Sequence, residues 1–175
     1  MKLVLATAND SHAVALAVLH SAVAGHLTRR FGSGRWSQAQ TEKGVLNDLR
    51  RPKFSRTLIA RSGSRIVATL RLATKKPWAI DTTYFTPALR PLYLTSMAVH
   101  PNLQRNGVGR LLLKEAEVVA RAWPADAIRL DAFDAEAGAG RFYLRCGFRE
   151  IARVTYKGAP LVYFELVLPP LLAEP

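Results

Sequence analysis

The sequence predicts a mixed α/β fold: one twisted, mostly antiparallel sheet with a central parallel β-α-β crossover and helices on both faces. Three observations lead there. Strand-like apolar runs and stretches of helical period succeed one another in the order β-α-α-β-β-β-α-β-α-β-β. Residues 92–133 read strand, helix, strand, so those two strands lie parallel with a right-handed connection. Glycine-containing turns, "SGS" at 62–64 and "KGAP" at 157–160, make antiparallel hairpins on either side of that unit.

The elements follow in order. "KLVLATA" (2–8) reads as the first strand. "DSHAVALAVLHSAVAGHL" (10–27) reads as a helix with Asp10 or Ser11 as N-cap, because a short polar side chain can accept from the free amides of a first turn. The loop "FGSGRWSQAQ" leads to a short helix that Thr41 caps and Pro52 stops. "RTLIAR" and "RIVATLRLAT" form the first hairpin. Residues 75–91 carry three prolines and no period; they read as an excursion over one end of the sheet, and loops of that length are often functional. "LYLTSMAV" is the next strand. The helix 107–123 ends before Pro124 and places Val108, Leu111, Leu112, Ala116, Val119 and Ala122 on one apolar face. The strand "AIRLDAFD", a short helix 139–146 closed by Gly147, and the hairpin strands 150–156 and 161–168 complete the order.

A chain of 175 residues is read as a single domain, 1–175, large enough to bury a proper core. Hydrophobic residues at 49% and charged residues at 22% match ordinary globular composition. One cysteine, Cys146, excludes an internal disulfide framework and a cysteine-built zinc site. The N-terminal apolar run is short for a signal peptide and polar residues follow at once, so it is assigned to a strand. No apolar stretch reaches the ~18 residues of a membrane helix. No membrane partner is therefore expected, and the expected compartment is the cytoplasm. The net charge of +12 draws anions: nucleic acid, acidic lipid or a phosphorylated cofactor. The basic residues are scattered and not interleaved with aromatics, which argues against nucleic acid.

"HPNLQRNGVGRLLLKEAE" (100–117) sets two glycines before a helix. A helix start leaves unpaired amides with partial positive charge, a site for an anion. Gly107 and Gly109 leave the turn bare; Arg105 and Arg110 add charge and Gln104 a polar side chain. A P-loop would need Lys then Ser or Thr where Arg110 and Leu111 stand, and a dinucleotide fingerprint would need a third glycine. The other possibility is a tight strand-to-helix turn that uses glycine for its geometry alone.

Gln104, Arg105, Asn106, Gly107, Val108 and Gly109 fit Q/R-x-x-G-x-G/A, the signature of the GCN5-related N-acetyltransferases, the GNAT superfamily. "SMAVHP" upstream and "RLDAFDAEAGAGRFYLRCGFRE" downstream, with Tyr143 to Phe148 as Y-x-x-x-G-F, extend the resemblance. It covers the order of elements across roughly 1–168 and implies the acyl-CoA N-acyltransferase fold. It also implies acetyl transfer from acetyl-CoA to a primary amine. The backbone of Met97, Ala98 and Val99 would line the pantetheine arm. Gln104, Arg105, Asn106, Gly107, Val108, Gly109 and Arg110 would hold the pyrophosphate, and Tyr143 would be the general acid toward the departing thiolate. Glu136 stands where many relatives carry a cofactor-bonding asparagine, and it is left out of the site.

The chemistry also needs a base, because an alkyl amine with a pKa of about 10.4 is mostly ammonium at neutral pH. Asp131 is the first candidate, with Asp134 and Glu136 behind it. Its alternative is to face solvent or to pair with Arg129 or Arg145. Tyr143 could instead be a core aromatic whose hydroxyl bonds to backbone. A backbone amide of 94–99 would polarise the acyl carbonyl. Cys146 reads as a small buried hydrophobe, and the four histidines show no metal spacing. The acceptor is expected between the first helices and the 75–91 excursion, with Trp36, Trp78, Tyr84, Phe85 and Tyr93 as wall candidates, and is expected to be a small molecule. The alternatives are a protein or peptide amine and a silent acyl-CoA sensor. A homodimer through the C-terminal hairpin edge is a further expectation.

Overall fold

The computed structural model describes residues 2–169. Seven strands form one sheet: β1 (Val4–Thr7), β2 (Ser55–Ser62), β3 (Arg65–Ala73), β4 (Pro91–Val99), β5 (Ala127–Phe133), β6 (Arg149–Tyr156) and β7 (Ala159–Val167). Their spatial order is β1-β2-β3-β4-β5-β7-β6, and every pair but β4–β5 is antiparallel. The helices are α1 (Ala13–Phe31), α2 (Glu42–Leu49), α3 (Val108–Ala122) and α4 (Gly140–Arg145). This is the mixed α/β architecture expected, with α3 as the crossover. Among the described residues no helix is long and apolar enough to cross a membrane.

Local chemistry explains the boundaries. Asn9 rather than Asp10 or Ser11 opens the first helical region: its side chain accepts from the Ser11 amide, while His12 Nδ1 accepts from the Asn9 amide. A 3-10 turn, Asp10–His12, precedes α1. The helix runs four residues past position 27, because Thr28 to Phe31 hold no breaker and Arg29 and Arg30 suit its negative end. Gly32 then stops it at φ 79°. Thr41 caps α2 as expected, accepting from the Gly44 amide at 3.1 Å.

α3 turns a slightly different stripe inward from the one expected. Val108, Gly109, Leu112, Leu113, Ala116 and Ala120 are buried, while Leu111 is exposed and Ala122 lies outside the core. The start of the helix is rotated by its contact with β4 and α4, so Leu113 and Ala120 take the places of Leu111 and Ala122. On this face Leu58, Leu70, Leu92, Ile128, Leu130 and Phe164 pack beneath α3 and α4.

The opposite face is covered in two parts. α1 and α2 lie over Ile59, Ile66 and Ala98. The 75–91 excursion covers the other end, where Ile80 and Phe85 pack on Tyr93 and Tyr163. An ion pair pins it: Arg129 Nε donates to Glu165 Oε1 at 3.0 Å, both side chains are almost fully buried, and Arg129 also donates to the Thr86 carbonyl. Such a pair tolerates burial only because both charges are matched.

Candidate active site

β4 and β5 pair only through Pro91–Tyr93 and Ala127–Arg129. Beyond that β5 continues against β7, while β4 has β3 on one side and no strand on the other. The sheet therefore opens into a gap along Leu94–Val99. Within it β4 carries a bulge: Thr69 and Arg71 on β3 face Ala98 and Thr95, so three β4 steps oppose two. Ser96 takes up the extra length at φ 54°, in the left-handed region.

The Gly107 turn sits at the end of this open strand. A 3-10 turn, Pro101–Leu103, leads into it, and α3 begins at Val108. Leu111 donates to the Gly107 carbonyl as the first helical bond, and among the described residues no acceptor serves the amides of residues 105–110. The two glycines answer different needs. Gly107 has φ 77° and open space where a Cβ would stand, so it is required by backbone conformation. Gly109 is buried; a Cβ there would lie 3.1 Å from Phe142 Cζ and 3.3 Å from both Met97 Cε and Val99 Cγ2. It is required by the close approach of α3 to β4 and α4. Both glycines thus have a geometric reason, one in dihedral angle and one in packing. Arg105 shares the strain at φ 64°, and Arg105, Asn106 and Arg110 are exposed. Gln104 turns its amide back to the Val99 carbonyl at 3.2 Å, tying the turn to β4 instead of reaching outward.

A cleft of about 390 Å³ occupies the gap, and Met97, Ala98, Asp131 and Tyr143 all line it. Tyr143 comes from α4, its ring packed against Phe142, Phe148 and Phe164. Its hydroxyl reaches Met97 Sδ at 3.6 Å and bonds no backbone group, so the core-aromatic alternative with a backbone-satisfied hydroxyl does not hold. Burial first, then the nearby Asp131 charge, push its pKa above the ordinary phenol value. The group is a neutral proton donor. Asp131 points into the same cleft without an ion pair: Arg129 is taken by Glu165, and no contact to Arg145 exists. Burial raises the Asp131 carboxyl above the usual range, opposed by a bond from its own backbone.

The runners-up are elsewhere. Asp134 is held by Arg153 through two bonds at 2.9 and 3.0 Å, and Glu136 is exposed. Cys146 packs against the core outside the cleft, and burial raises its thiol. Of the five aromatic wall candidates only Trp36 lines this cleft. Trp78 and Tyr84 line a separate depression against Tyr156 and Tyr163, while Phe85 and Tyr93 are buried under the excursion. The excursion cannot reach the cleft because Arg129, Glu165 and Tyr163 fasten it further along the sheet.

His20 and the segment 35–40 supply the wall instead. His20 shares a stripe with Leu16 and Ala24 at four-residue spacing, and burial lowers its pKa. A histidine on an otherwise apolar helix stripe was the available signal. Nothing local to Arg35, Gln38 or Gln40 marked them, since only tertiary folding brings their loop across the gap.

The Acetyltransferase (GNAT) family model matches residues 22–148. No curated protein sequence matches the chain. Among solved structures, PaiA N-acetyltransferase from Thermoplasma acidophilum, in complex with coenzyme A, superposes with a TM-score of 0.69 at 16% identity, over 93% of this chain and 98% of that one. YncA from Salmonella typhimurium, with its cofactor acetyl-CoA, gives 0.71 at 16% identity over 98% and 96%. A GNAT-family acetyltransferase from Streptococcus pneumoniae gives 0.72 at 16% identity over 96% and 100%. These likenesses show the fold. The family model covers more than half of the sequence, including the Gly107 turn and Tyr143, and the chain belongs to the GNAT acetyltransferase family.

Proposed function

We propose that the chain is one N-acetyltransferase domain that moves an acetyl group from acetyl-CoA to the primary amine of a small molecule by direct attack. One observation carries this reading: a single gap in the sheet has unclaimed amides at its end and a neutral phenol beside an unpaired carboxylate within it. The fit to coenzyme A rests on residues 105–110. Six backbone amides without protein acceptors, at the positive end of a fifteen-residue helix, suit a diphosphate, and Arg105 and Arg110 add charge. The open edge of β4 at Met97, Ala98 and Val99 offers backbone groups to the amides of a pantetheine arm. When bound, acetyl-CoA supplies an acyl group already activated as a thioester.

The chain's own groups then have separate tasks. The bulge at Ser96 breaks the regular ladder where a main-chain amide would meet the acyl oxygen. Asp131 takes a proton from the incoming ammonium; its raised pKa makes it a better base than an exposed carboxylate. Tyr143 holds a proton on Oη for the departing sulfur; a phenol near 10 is a weaker acid than a thiol near 8.5, and burial raises Tyr143 further, so the transfer is uphill and depends on the sulfur being held against Oη as its negative charge builds. Met97 Sδ marks that place, 3.6 Å from Oη. Attack is direct because Cys146 does not line the cleft and its thiol is kept protonated by burial.

The test pairs thermal shift with thiol release. Acetyl-CoA, unlike ATP or NAD, raises the melting temperature, and an amine panel then shows acetyl-dependent release of free thiol. A melting point indifferent to acetyl-CoA overturns the reading. Binding without turnover by any amine leaves an acyl-CoA sensor in its place.

A further inference from the structure

We propose that the acceptor is a monoamine with a flat apolar body and no carboxylate, seated between the Trp36–Phe133 wall and Asp131. This inference rests on the acetyl transfer proposed above and names its substrate class.

Inside the cleft one charge faces a ligand, Asp131, and the other charged lining residue, Arg35, stands at the exposed rim. Only His20, Arg35, Asp131 and Tyr143 titrate among its lining residues. His20 and Tyr143 are neutral at pH 7, since burial lowers the one and raises the other. Arg35 lies on the exposed rim and donates Nη2 to the Lys157 carbonyl, at the β6–β7 turn. Asp131 has no ion-pair partner among the described residues, only a bond from its own backbone. One ammonium therefore finds one carboxylate. A second ammonium would enter without a counter-charge, and burying an unpaired charge is costly. A carboxylate next to the amine would face Asp131 itself, since the one arginine of the lining stands at the rim, bonded to the Lys157 carbonyl.

The Trp36 side of the wall is largely apolar, while Gln38, Gln40, Thr95 and Ser96 are the neutral polar members of the lining. Trp36 meets Phe133 edge-on with ring centroids 6.0 Å apart. The indole is anchored by its Nε1, which donates to the Gly32 carbonyl at 3.0 Å. Val23, Leu27 and Leu94 continue the surface. The two rings meet at 75° and form the aromatic side of a slot for a flat group, with the anchored indole losing little freedom on binding. Tyr143 is buried and Asp131 half-buried in the same lining, whereas Arg35 at the rim is exposed, which draws the amine inward.

The probe is 2-phenylethylamine, compared with spermidine, kanamycin, L-phenylalanine and a lysine-containing peptide, in thiol release with acetyl-CoA. The expected result is a kcat/KM for 2-phenylethylamine at least about tenfold above each of the others, the ratio that 1.4 kcal/mol produces. Equal or better turnover of any comparator overturns the acceptor class while leaving acetyl transfer standing. Calorimetry of 2-phenylethylamine against the coenzyme A-loaded protein separates the two proposals. Binding without thiol release upholds the acceptor class and overturns acetyl transfer, whereas absent binding overturns the acceptor class. If acetyl-CoA does not bind, the same titration of the free protein decides. Trp36→Ala should raise KM for 2-phenylethylamine about tenfold with the acetyl-CoA KM unchanged, and an unchanged amine KM refutes the slot.

Discussion

At the residue scale, the proposed chemistry rests on Tyr143 and Asp131, and their environments make separable demands. Replacing Tyr143 by Phe keeps the ring that packs on Phe142, Phe148 and Phe164 but removes the proton. Thiol release should fall about 10²-fold, the lower range for a positioned acid, with coenzyme A affinity unchanged by calorimetry; equal activity removes Tyr143 from the mechanism. Asp131 links activity to stability. Its folded pKa is raised by burial, so the folded state holds the proton more tightly than the unfolded chain does. Stability is therefore lost as pH rises from the unfolded carboxylate value through the raised folded one. Asp131→Asn should melt higher than the parent at pH 7, with the gain vanishing near pH 3, and should lose turnover at pH 7. The parent's kcat/KM should climb on an acid limb that this variant lacks. A melting curve for the variant that is identical at pH 7 would show that burial does not tax the carboxylate.

At the element scale, the turn between β4 and α3 combines two constraints that look alike in the sequence. Gly107 answers to φ 77° and Gly109 to crowding. Gly107→Asn should be tolerated better than Gly107→Val, since Asn enters the left-handed region and a β-branched residue does not, a difference of about 1 kcal/mol. At Gly109 the order should not follow conformational preference. Gly109→Ala should already shift the start of α3 against Phe142, Met97 and Val99 and weaken coenzyme A affinity, measured by titration. If Gly109→Ala binds normally while Gly107→Ala does not, the turn is governed by dihedral angles alone. Element existence and order were legible throughout because hydrophobic period and glycine and proline punctuation are local properties. The inward stripe of α3 was less so: Leu111 and Leu113 are chemically alike, and the helix's rotation is set by what Gly109 packs against.

At the scale of the whole molecule, the sheet is a frame whose two halves are held at a fixed opening. β4 and β5 touch through three residue pairs and then part. The far half is braced by Arg129 and Glu165, with Arg149 on the other carboxylate oxygen at 3.5 Å and the Arg129 guanidinium 4.9 Å from the Phe85 ring centre. Breaking this buried pair by Arg129→Ala should cost about 3–5 kcal/mol, because Glu165 is left inside without its main partner. Denaturant unfolding measures that, and a loss below about 1 kcal/mol would mean water or Arg149 already compensates. The net charge of +12 acts at this scale too. Association with coenzyme A should slow as salt rises, in stopped-flow traces, while a rate indifferent to salt would assign the diphosphate to the backbone amides without help from Arg105 and Arg110.

Taken alone, the sequence determined the order of elements, the crossover, the Gly107 turn and the positions of Tyr143 and Asp131, because each leaves a mark within a few residues of itself. Only the tertiary structure decided what stands around those two groups. It brought His20, Arg35 and Trp36 from the first forty residues across the gap and carried the 75–91 segment away from it. It also freed Asp131 by giving Arg129 to Glu165. Those are choices between partners distant along the chain, made by packing and charge pairing in the folded state, and no local pattern records them.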